Sequence, residues 1–479
     1  MQDSLFKKPL QGTAHRVLCP PMLSAPLPVD LLSLIGNTPM VKVTRLDTGP
    51  CELFLKLENQ NPGGSIKDRI GLSMIAAAEK AGQLGSHQKH IVEATAGNTG
   101  LGLALVAGQK GYRLTLVIPD KMSQEKILHL KALGAEIIMT RSDVDKGHPE
   151  YYQDMAERIA RELGGFYVNQ FANPANPLAH ETTTGPEIAA QLGNRLDAMV
   201  VGVGSGGTMA GLSHYFAKAI PECEMVLADP QGSILADYVK SGTMGKAGSW
   251  VIEGIGEDFI PSIADLSRVK KAYTIPDTES LDTARQLLKK EGILAGSSSG
   301  TLIAAALRYC REQTTPKRVC TFVCDSGNKY LSKMFNDFWM ADQGFLPRAA
   351  HGDLRDVITR RYSNRDVVTL TPSDTLLIAY ARMKLYDVSQ LPVLENNKVV
   401  GMIDESDLLL AAINDETRLR LPVRDFMSTR LQTVDVKTPV PELLSYLDKG
   451  FVPIVVSGDE FIGLITRIDL LNHLRRKLR

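Results

Sequence analysis

The sequence predicts an α/β fold with a mainly parallel, open-sided sheet, followed by a smaller repeated unit. Three observations predict it. From residue 31 to about residue 342, short apolar segments typical of strands alternate with helical segments. Glycine-rich turns follow several of the predicted strands. From about residue 350 onward, the chain contains two similar copies of one pattern. Alternation of this kind places functional loops at the carboxyl ends of parallel strands.

Length and composition limit the classes of function. A chain of 479 residues exceeds one core, so two or three domains are expected. The 54 basic and 54 acidic residues balance, which disfavours nucleic acid and anionic membranes as partners. The six scattered cysteines indicate reduced thiols and a cytoplasmic setting. Cys320 and Cys324 have a metal-like spacing, but no second pair follows, so no metal site is predicted. There is no stretch of transmembrane length and no signal-peptide pattern.

The first region carries the alternation. Its predicted strands are residues 54–57, 90–92, 114–118, 136–139, 199–203, 225–228 and 318–323. Helical stretches are predicted at 101–107 and 301–307, each directly after a polar or glycine-rich turn. The first thirty residues are proline-rich around Cys19 and show no clear period, which indicates an extension over the core.

Lys67 is the first candidate for chemistry, because a lysine at a glycine-flanked turn into a helix can be partly buried. It follows the segment 63–66, which contains two glycines, and precedes an amphipathic helical stretch. Burial lowers the pKa of an amine, and a neutral amine can form a Schiff base with a carbonyl compound. An exposed lysine on the first turn of a helix is the alternative for this residue taken alone.

Residues 93–100 follow a predicted strand and open an apolar helix. Thr95, Asn98 and Thr99 would place polar side chains and free N–H groups at the N-terminus of that helix, which suits a carboxylate. Simple capping of the helix is the alternative. Capping accounts for one threonine or asparagine, but it does not require two glycines, an asparagine and two threonines together.

Two glycine-rich turns follow later in the chain. The first contains a run of five residues: Gly204, Ser205, Gly206, Gly207 and Thr208. Glycines let a backbone close on a phosphate, and the N–H groups and the helix dipole favour the anion. A dinucleotide site is a rival for this segment, because Asp229 stands near the expected spacing. The second turn, residues 296–300, contains Ser298; a plain helix cap is its alternative.

Together these segments resemble the fold-type II pyridoxal-phosphate enzymes of the cysteine synthase and cystathionine β-synthase group, which share the tryptophan synthase β-like fold. The resemblance covers roughly residues 31–339. It also includes the segments 35–39, 169–177 and 183–188. So many matches in one order are specific, and they imply pyridoxal 5'-phosphate as the cofactor.

The resemblance implies roles for individual residues. Lys67 would hold the cofactor as a Schiff base and then move the substrate's α-proton. Asn98 would hydrogen-bond the cofactor's phenolic oxygen, and Ser298 would meet its pyridine nitrogen. A hydroxyl group does not keep that nitrogen protonated as an aspartate would, which suits β-elimination. The phosphate would lie in the run from Gly204 to Thr208. The substrate α-carboxylate would contact Thr95, Ala96, Thr99 and Gln170.

Two segments favour the synthesis of cystathionine within this group. Residues 251–261 contain Glu253, whose anionic side chain could receive the amino group of homocysteine; a solvated loop acid is the alternative. The closing segment 324–339 also resembles the synthases for cystathionine. Phe171 and Glu257 depart from that pattern, because some cystathionine synthases carry aromatic residues with a hydroxyl group there.

The reaction expected from the resemblance is a β-replacement that condenses L-serine with L-homocysteine to L-cystathionine and water, a step of transsulfuration and cysteine biosynthesis. Release of hydrogen sulfide from cysteine stays open. The other readings are a cysteine synthase using O-acetylserine and sulfide, and a ligand-sensing protein with a vestigial catalytic domain. The resemblance to this group also implies a homodimer. Some members hold haem through an N-terminal Cys and His; only His15 and Cys19 qualify here, and their surroundings do not match, so no haem is expected.

The second region repeats one pattern, once in residues 356–410 and again in residues 423–471. Each copy is too small for a full core, so the two are expected to pack as a pair. The region resembles a tandem CBS-domain (Bateman) module. The predicted boundaries are 1–30 for the extension, 31–342 for the catalytic domain, 343–352 for a linker, and 353–415 and 416–479 for the two CBS domains.

Bateman modules often bind adenosyl ligands between their repeats. Thr466 and Asp469 fit the Thr-x-x-Asp contact to ribose and phosphate. In the first repeat Asp404 replaces the hydroxyl residue, and its charge would repel a phosphate. We therefore expect S-adenosylmethionine or no ligand, rather than ATP or AMP. A module that only stabilises or dimerises the enzyme is the alternative.

Overall fold

The structure is a computed structural model and describes residues 30–95, 97–120, 124–144, 147–347, 350–362, 366–413 and 415–477. The chain divides into two compact units, one extending to Leu331 and the other beginning at Ser332. Within the described ranges, no helix combines the length and the apolar character needed to cross a membrane.

Among the described residues of the first unit, ten strands form two sheets. They are β1 (Met40–Lys42), β2 (Glu52–Leu57), β3 (His90–Ala94), β4 (Arg113–Pro119), β5 (Glu136–Thr140), β6 (Phe166–Tyr167), β7 (Ala198–Gly202), β8 (Glu224–Pro230), β9 (Val269–Ile275) and β10 (Arg318–Val323). The larger sheet has the order β1-β2-β10-β7-β8-β9, and only its β1–β2 pair is antiparallel. The smaller sheet, β5-β4-β3-β6, is parallel throughout.

Ten α-helices accompany these strands in the same described ranges. They are α1 (Lys67–Lys80), α2 (Asn98–Lys110), α3 (Gln124–Ala132), α4 (Tyr152–Glu162), α5 (Ala175–Ala179), α6 (Gly185–Gln191), α7 (Gly207–Ala219), α8 (Leu235–Ser241), α9 (Asp277–Glu291) and α10 (Ser297–Arg311). A π-helical turn, His180–Thr184, joins α5 to α6.

The seven predicted strands are confirmed, but they belong to two sheets where the alternation alone predicted one. Strands β1 and β6 are too short to show a period. Strand β9 reads VKKAYTI, and its two lysines hide the apolar pattern. The order in the chain does not show the division, because β3 to β6 form their own sheet between segments of the larger one.

A close crossing of α1 and α2 brings the lysine motif beside the asparagine motif. A Cβ atom on Gly71 would lie 2.7 Å from the carbonyl carbon of Gly102, and one on Gly102 would lie 2.6 Å from the carbonyl oxygen of Lys67. Only glycine fits two helix backbones at that separation. The first residues of the two helices, Lys67 and Asn98, are thereby held on the same side of the unit.

In the part of the second unit that the structure describes, there are five α-helices and five strands. These are α11 (Asp337–Asp342), α12 (Leu376–Tyr386), α13 (Glu405–Ala412), α14 (Leu443–Leu447), α15 (Arg467–Lys477), β11 (Gln390–Glu395), β12 (Lys398–Asp404), β13 (Thr433–Asp435), β14 (Ile454–Ser457) and β15 (Glu460–Leu464). Strands β11 and β12 form an antiparallel pair in the first repeat, and β13-β14-β15 form the sheet of the second.

The two repeats exchange their leading segments. Leu354, Val357 and Ile358 lie at the start of the first repeat but are buried in the core of the second, among residues such as Val455 and Ile465. The backbone N–H of Leu354 also donates to the carbonyl oxygen of Val436.

The segment at the start of the second repeat packs in the same way into the core of the first repeat. Val423 is buried in the core of the first repeat, and its N–H donates to the carbonyl oxygen of Asp374 at 2.7 Å. A third apolar cluster, with Leu394 from one repeat and Ile454 and Phe461 from the other, joins them. The expectation that the repeats pack as a pair is confirmed.

Candidate active site

Lys67 is the first residue of α1, and two hydrogen bonds fix the turn before it. The N–H of Ile66 donates to the carbonyl oxygen of Cys324 at 2.9 Å, and the N–H of Ser326 donates to that of Gly64 at 3.1 Å. The turn that carries Lys67 is therefore held against the segment that follows β10.

The amine of Lys67 lies in surroundings that favour its neutral form. Burial lowers the pKa of Lys67, and the neighbouring acidic groups of Cys324, Asp325 and Glu257 only partly oppose this effect. A lysine that titrates closer to neutrality can act as a nucleophile or as a base.

Asn98 begins α2 and lies close to the lysine turn. Its Nδ2 donates to Oδ2 of Asp325 at 2.8 Å, and its Oδ1 accepts from Nζ of Lys329 at 2.8 Å. The sequence predicted neither partner, because each is more than two hundred positions away along the chain.

The predicted carboxylate contacts also lie together. Thr99 is buried and donates to Oε1 of Gln170 at 2.7 Å, while Oγ1 of the buried Thr95 accepts from the N–H of Gly97 at 3.3 Å. These residues bring two hydroxyl groups, an amide and the N-terminus of α2 to one place, which suits a small carboxylate. Ala96 lies outside the described residues.

The predicted phosphate loop connects β7 to α7. Gly206 has a φ of 91° and precedes the helix, and no side chain caps the first turn. A Cβ atom on Gly204 would lie 2.5 Å from the carbonyl oxygen of Gly254. Glycine is required at both positions. Among the described residues, no side chain caps the first N–H groups of α7, as an anion site requires.

Asn176 and His180 support the loop from behind. Nδ2 of Asn176 donates to Oγ of Ser205 at 3.0 Å, and Nε2 of His180 lies 3.2 Å from Oγ1 of Thr208. Burial, together with the charge of Lys67, lowers the pKa of His180 well below its usual value, so the imidazole is neutral. Neither residue was assigned a role from the sequence: Asn176 lies in a segment noted only for its family resemblance, and His180 is a polar residue within a helical stretch.

Asp229, whose spacing after the glycine-rich turn left a dinucleotide site as an alternative, is fully buried. Its Oδ2 accepts from the N–H of Ala236 at 2.8 Å, and burial raises its pKa to about 6. Its carboxylate therefore serves the turn into α8 and does not face a ribose.

Ser298 lies in the first turn of α10 and is buried. Gly296 precedes the helix and offers no side-chain cap. The thiol of Cys324 lies next to Ser298 and Lys67, and burial raises the pKa of Cys324 to about 12, so the thiol is protonated. The hydroxyl of Ser298 and the amine of Lys67 are thus brought together around one uncharged thiol.

Glu253 is paired with a residue that the sequence did not suggest. Its carboxylate forms an ion pair with Lys126 of α3, and only 4% of the Lys126 side chain is exposed. Nζ of Lys126 also lies 5.1 Å from the centre of the Tyr330 ring. The anionic side chain that was expected to meet an incoming amino group therefore already has a cationic partner, 127 positions away.

Glu257 lies on the loop after Gly256 and shares an electrostatic interaction with Lys67. Burial raises the pKa of Glu257 well above its usual value, and the charges of Asp258 and Asp229 add to the effect. The carboxyl group of Glu257 is therefore expected to stay protonated to a higher pH than an exposed carboxyl group would. Its backbone is fixed by Ser233, whose Oγ accepts from the Glu257 N–H at 3.1 Å.

These groups fit pyridoxal 5'-phosphate. The amine of Lys67 suits its aldehyde, the uncapped α7 N-terminus suits its phosphate, and the buried hydroxyl of Ser298 suits its ring nitrogen. The amide of Asn98 is fixed beside the lysine turn. The haem candidates His15 and Cys19 lie outside the described residues.

In the second unit, Thr466 and Asp469 lie at the start of α15. Oδ2 of Asp469 accepts from the N–H of Thr466 at 2.7 Å and also from its hydroxyl group. In the first repeat, Asp404 and Asp407 form a capping box at the start of α13. Both predicted ligand motifs therefore also cap helices.

Comparison with known proteins agrees with this site. The family model described as pyridoxal-phosphate dependent enzyme matches residues 31–325, and the CBS domain model matches residues 354–414 and 423–476. The fold and the site thus define a pyridoxal-phosphate-dependent enzyme with tandem CBS domains.

Relatives over nearly the whole chain narrow the family. The chain is 35% identical to cystathionine beta-synthase of Dictyostelium discoideum, covering 93% of this chain and 92% of that protein. It is 38% identical to the enzyme of the same name from Mus musculus, covering 93% and 76%. The chain belongs to the cystathionine beta-synthase family.

A solved structure shows the same catalytic fold. A hydrogen sulfide-producing enzyme from Fusobacterium nucleatum is 36% identical to this chain, with a TM-score of 0.58. The match covers 64% of this chain and all of that one.

Proposed function

We propose that the protein condenses L-serine with L-homocysteine to give L-cystathionine and water, using pyridoxal 5'-phosphate. The observation that carries the proposal is the half-buried Lys67, whose pKa is lowered by burial and which interacts with Cys324 and Asp325. These two residues in turn contact Ser298 and Asn98. Membership of the cystathionine beta-synthase family over nearly the whole chain supports the choice of substrates. When bound, the cofactor supplies an electron-withdrawing ring that makes the α-carbon of an amino acid acidic.

Lys67 is proposed to move the protons. Its lowered pKa favours the neutral amine, which can take the α-proton of serine, and the resulting ammonium can protonate the departing β-hydroxyl group. Thr95, Thr99 and Gln170 are proposed to bind the serine carboxylate, together with Ala96. The phosphate is proposed to bind at the loop that leads into α7 and at the first turn of that helix, which together comprise Gly204, Ser205, Gly206, Gly207 and Thr208. Glu253 remains the proposed partner of the second substrate's amino group, after displacement of Lys126.

The test of Lys67 compares two lysines of the same helix. Lys67→Ala is expected to lower turnover at least about a thousandfold, because it removes the group that transfers protons. Lys80→Ala, at the exposed end of α1, is the matched control and is expected to behave like wild type. A Lys67→Ala protein that kept a tenth of wild-type turnover would contradict the proposed role.

A product assay tests the choice of substrates. Cofactor-loaded protein is incubated with serine or O-acetylserine, then with homocysteine or sulfide, and the product is identified by mass spectrometry. We expect cystathionine from serine and homocysteine. A cysteine synthase is the second candidate, favoured by the ion pair that occupies Glu253 and by Phe171, whose ring packs on Phe259 with centres 5.6 Å apart. Cysteine as the only product would overturn the first assignment. Hydrogen sulfide formed from cysteine alone would identify the side reaction.

The CBS module is proposed to bind an adenosyl ligand without a phosphate chain, such as S-adenosylmethionine, at Thr466 and Asp469. The acidic cap at Asp404 supports this choice, because it would repel a phosphate. Calorimetry with S-adenosylmethionine, AMP and ATP tests it, and the absence of heat with all three would refute it. A homodimer is proposed for the assembled enzyme, and light scattering of the loaded protein tests that state.

A further inference from the structure

Asn98 is held at both ends of its side-chain amide by two charged residues of one short segment. Nδ2 donates to Oδ2 of Asp325, and Oδ1 accepts from Nζ of Lys329, each at 2.8 Å. Asp325 and Lys329 follow β10, whereas Asn98 opens α2. The contact therefore joins the closing segment of the unit to one of the predicted cofactor residues.

Charge leaves only one orientation for the Asn98 amide. A carboxylate only accepts hydrogen bonds, and an ammonium only donates them. A reversed amide would place its oxygen against Asp325 and its NH2 group against Lys329, and both contacts would be repulsive. The NH2 group has two N–H bonds, of which Asp325 takes one. The second N–H is therefore a donor with a fixed direction.

Asp325 is itself rigidly placed. It is fully buried, and its Oδ2 also accepts from the hydroxyl group of Tyr330 at 2.8 Å. Its carbonyl oxygen accepts from the N–H of Gly296, directly before the helix that carries Ser298. A movement of Asp325 would disturb these contacts together, so the carboxylate offers Asn98 a fixed anchor.

Lys329 connects Asn98 to the lysine motif. Besides Asn98, its Nζ contacts the carbonyl oxygens of Gly63 and Gly64 at 3.4 Å, just ahead of Lys67. Burial lowers the pKa of Lys329, and the charges of Asp325 and Asp68 oppose that effect. Lys329 thus lies between the turn that carries the reactive amine and the amide of Asn98.

We propose that Asp325 and Lys329 are positioning residues that aim the free N–H of Asn98 at the phenolic oxygen of pyridoxal 5'-phosphate. The proposal rests on the proposed function, because it requires the cofactor in this site. The cation on the amide oxygen also polarises the amide, which strengthens the opposite N–H as a donor and favours negative charge on the phenolic oxygen.

The experiment measures the absorption spectrum of the bound cofactor and does not depend on turnover. Lys329→Met removes the donor and keeps most of the side-chain volume, whereas Lys329→Arg retains a cationic donor. Lys246→Met, at an exposed position of the same unit, is the matched control. Each protein is loaded with cofactor, and the ratio of the visible to the near-ultraviolet absorption band is measured at one fixed pH. The anionic phenolic oxygen favours the visible band.

We expect the ratio to fall about tenfold in Lys329→Met, which corresponds to the loss of one charge-assisted hydrogen bond. Lys329→Arg is expected to recover at least half of the ratio on a logarithmic scale, and Lys246→Met to match wild type. If Lys329→Met does not fold, Lys329→Gln, which keeps a donor and loses the charge, takes its place with an expected fall of about threefold.

A double-mutant cycle shows whether Lys329 acts through Asn98. In an Asn98→Ala background, Lys329→Met is expected to leave the ratio unchanged. A wild-type ratio in the single variant, or an equal fall in both backgrounds, would overturn the proposal. Wild-type protein that binds no cofactor would instead overturn the proposed function, so the two failures are distinguishable.

Discussion

Glu93 provides a test of how far burial, without a compensating charge, controls this enzyme's stability. It lies in β3, directly before the residues of the proposed carboxylate site, and its side chain is completely buried. One carboxylate oxygen accepts a long hydrogen bond of 3.5 Å from the N–H of Gln170, and the other has no hydrogen-bond partner in the described part of the chain. Burial raises the pKa of Glu93 from 4.5 to about 8.

The sign of the effect follows from proton binding. Between the unfolded pKa of 4.5 and the folded pKa of about 8, the folded state binds one proton more than the unfolded state, so stability falls as pH rises. The difference of about 3.5 units corresponds to at most about 5 kcal/mol across the window. Outside the window, this group adds no slope.

Glu93→Gln is expected to remove that slope, because glutamine does not titrate. The midpoint of thermal unfolding is measured for the cofactor-loaded wild type and variant from about pH 5 to about pH 9. On the order of 5 to 10 °C of the wild-type decline should be missing in the variant. The exposed Glu162→Gln is the matched control and should follow wild type. Parallel curves for wild type and Glu93→Gln would refute the reasoning.

Three further substitutions test the site. Lys126→Met removes the buried cation that pairs with the Glu253 carboxylate, so the free energy of unfolding measured by denaturant titration should fall by about 3 kcal/mol. Adding Glu253→Gln should restore part of this loss, whereas additive losses would contradict the pairing. Glu257→Gln mimics the neutral acid and should keep turnover within about threefold near neutral pH, whereas a loss above about tenfold would show an ionised carboxylate. Gly206→Ala places a Cβ atom 2.6 Å from that of Ala264 at a φ of 91°, so cofactor affinity should fall at least about tenfold in a binding titration, and unchanged affinity would contradict the loop geometry.

Local sequence patterns identified much of the fold and the main parts of the site. Strand β7 is a continuous apolar run followed by glycines, so both the strand and the loop could be predicted from their own residues alone. The same holds for Lys67, whose glycine-flanked turn is a local feature. Such features depend on neighbours within a few positions, which is the range that sequence periodicity reports.

Residues that act through distant contacts were not predictable in the same way. Lys126 and Lys329 look like ordinary helix or turn lysines, and their partners Glu253 and Asn98 lie 127 and 231 positions away. These contacts form only when the chain folds into its two sheets, and the order of strands in the chain does not reveal that arrangement. The likeness of Thr466 and Asp469 to a ligand motif was visible, whereas their use as a helix cap required coordinates.

The exchanged segments of the CBS repeats separate the place of a substitution from the place of its effect. A polar residue at Ile358 would stand at the start of the first repeat in the chain and yet loosen the core of the second. One at Val423 would do the reverse. Cutting the chain between the repeats would separate each core from a segment that helps to fill it, so we expect the two repeats to unfold together.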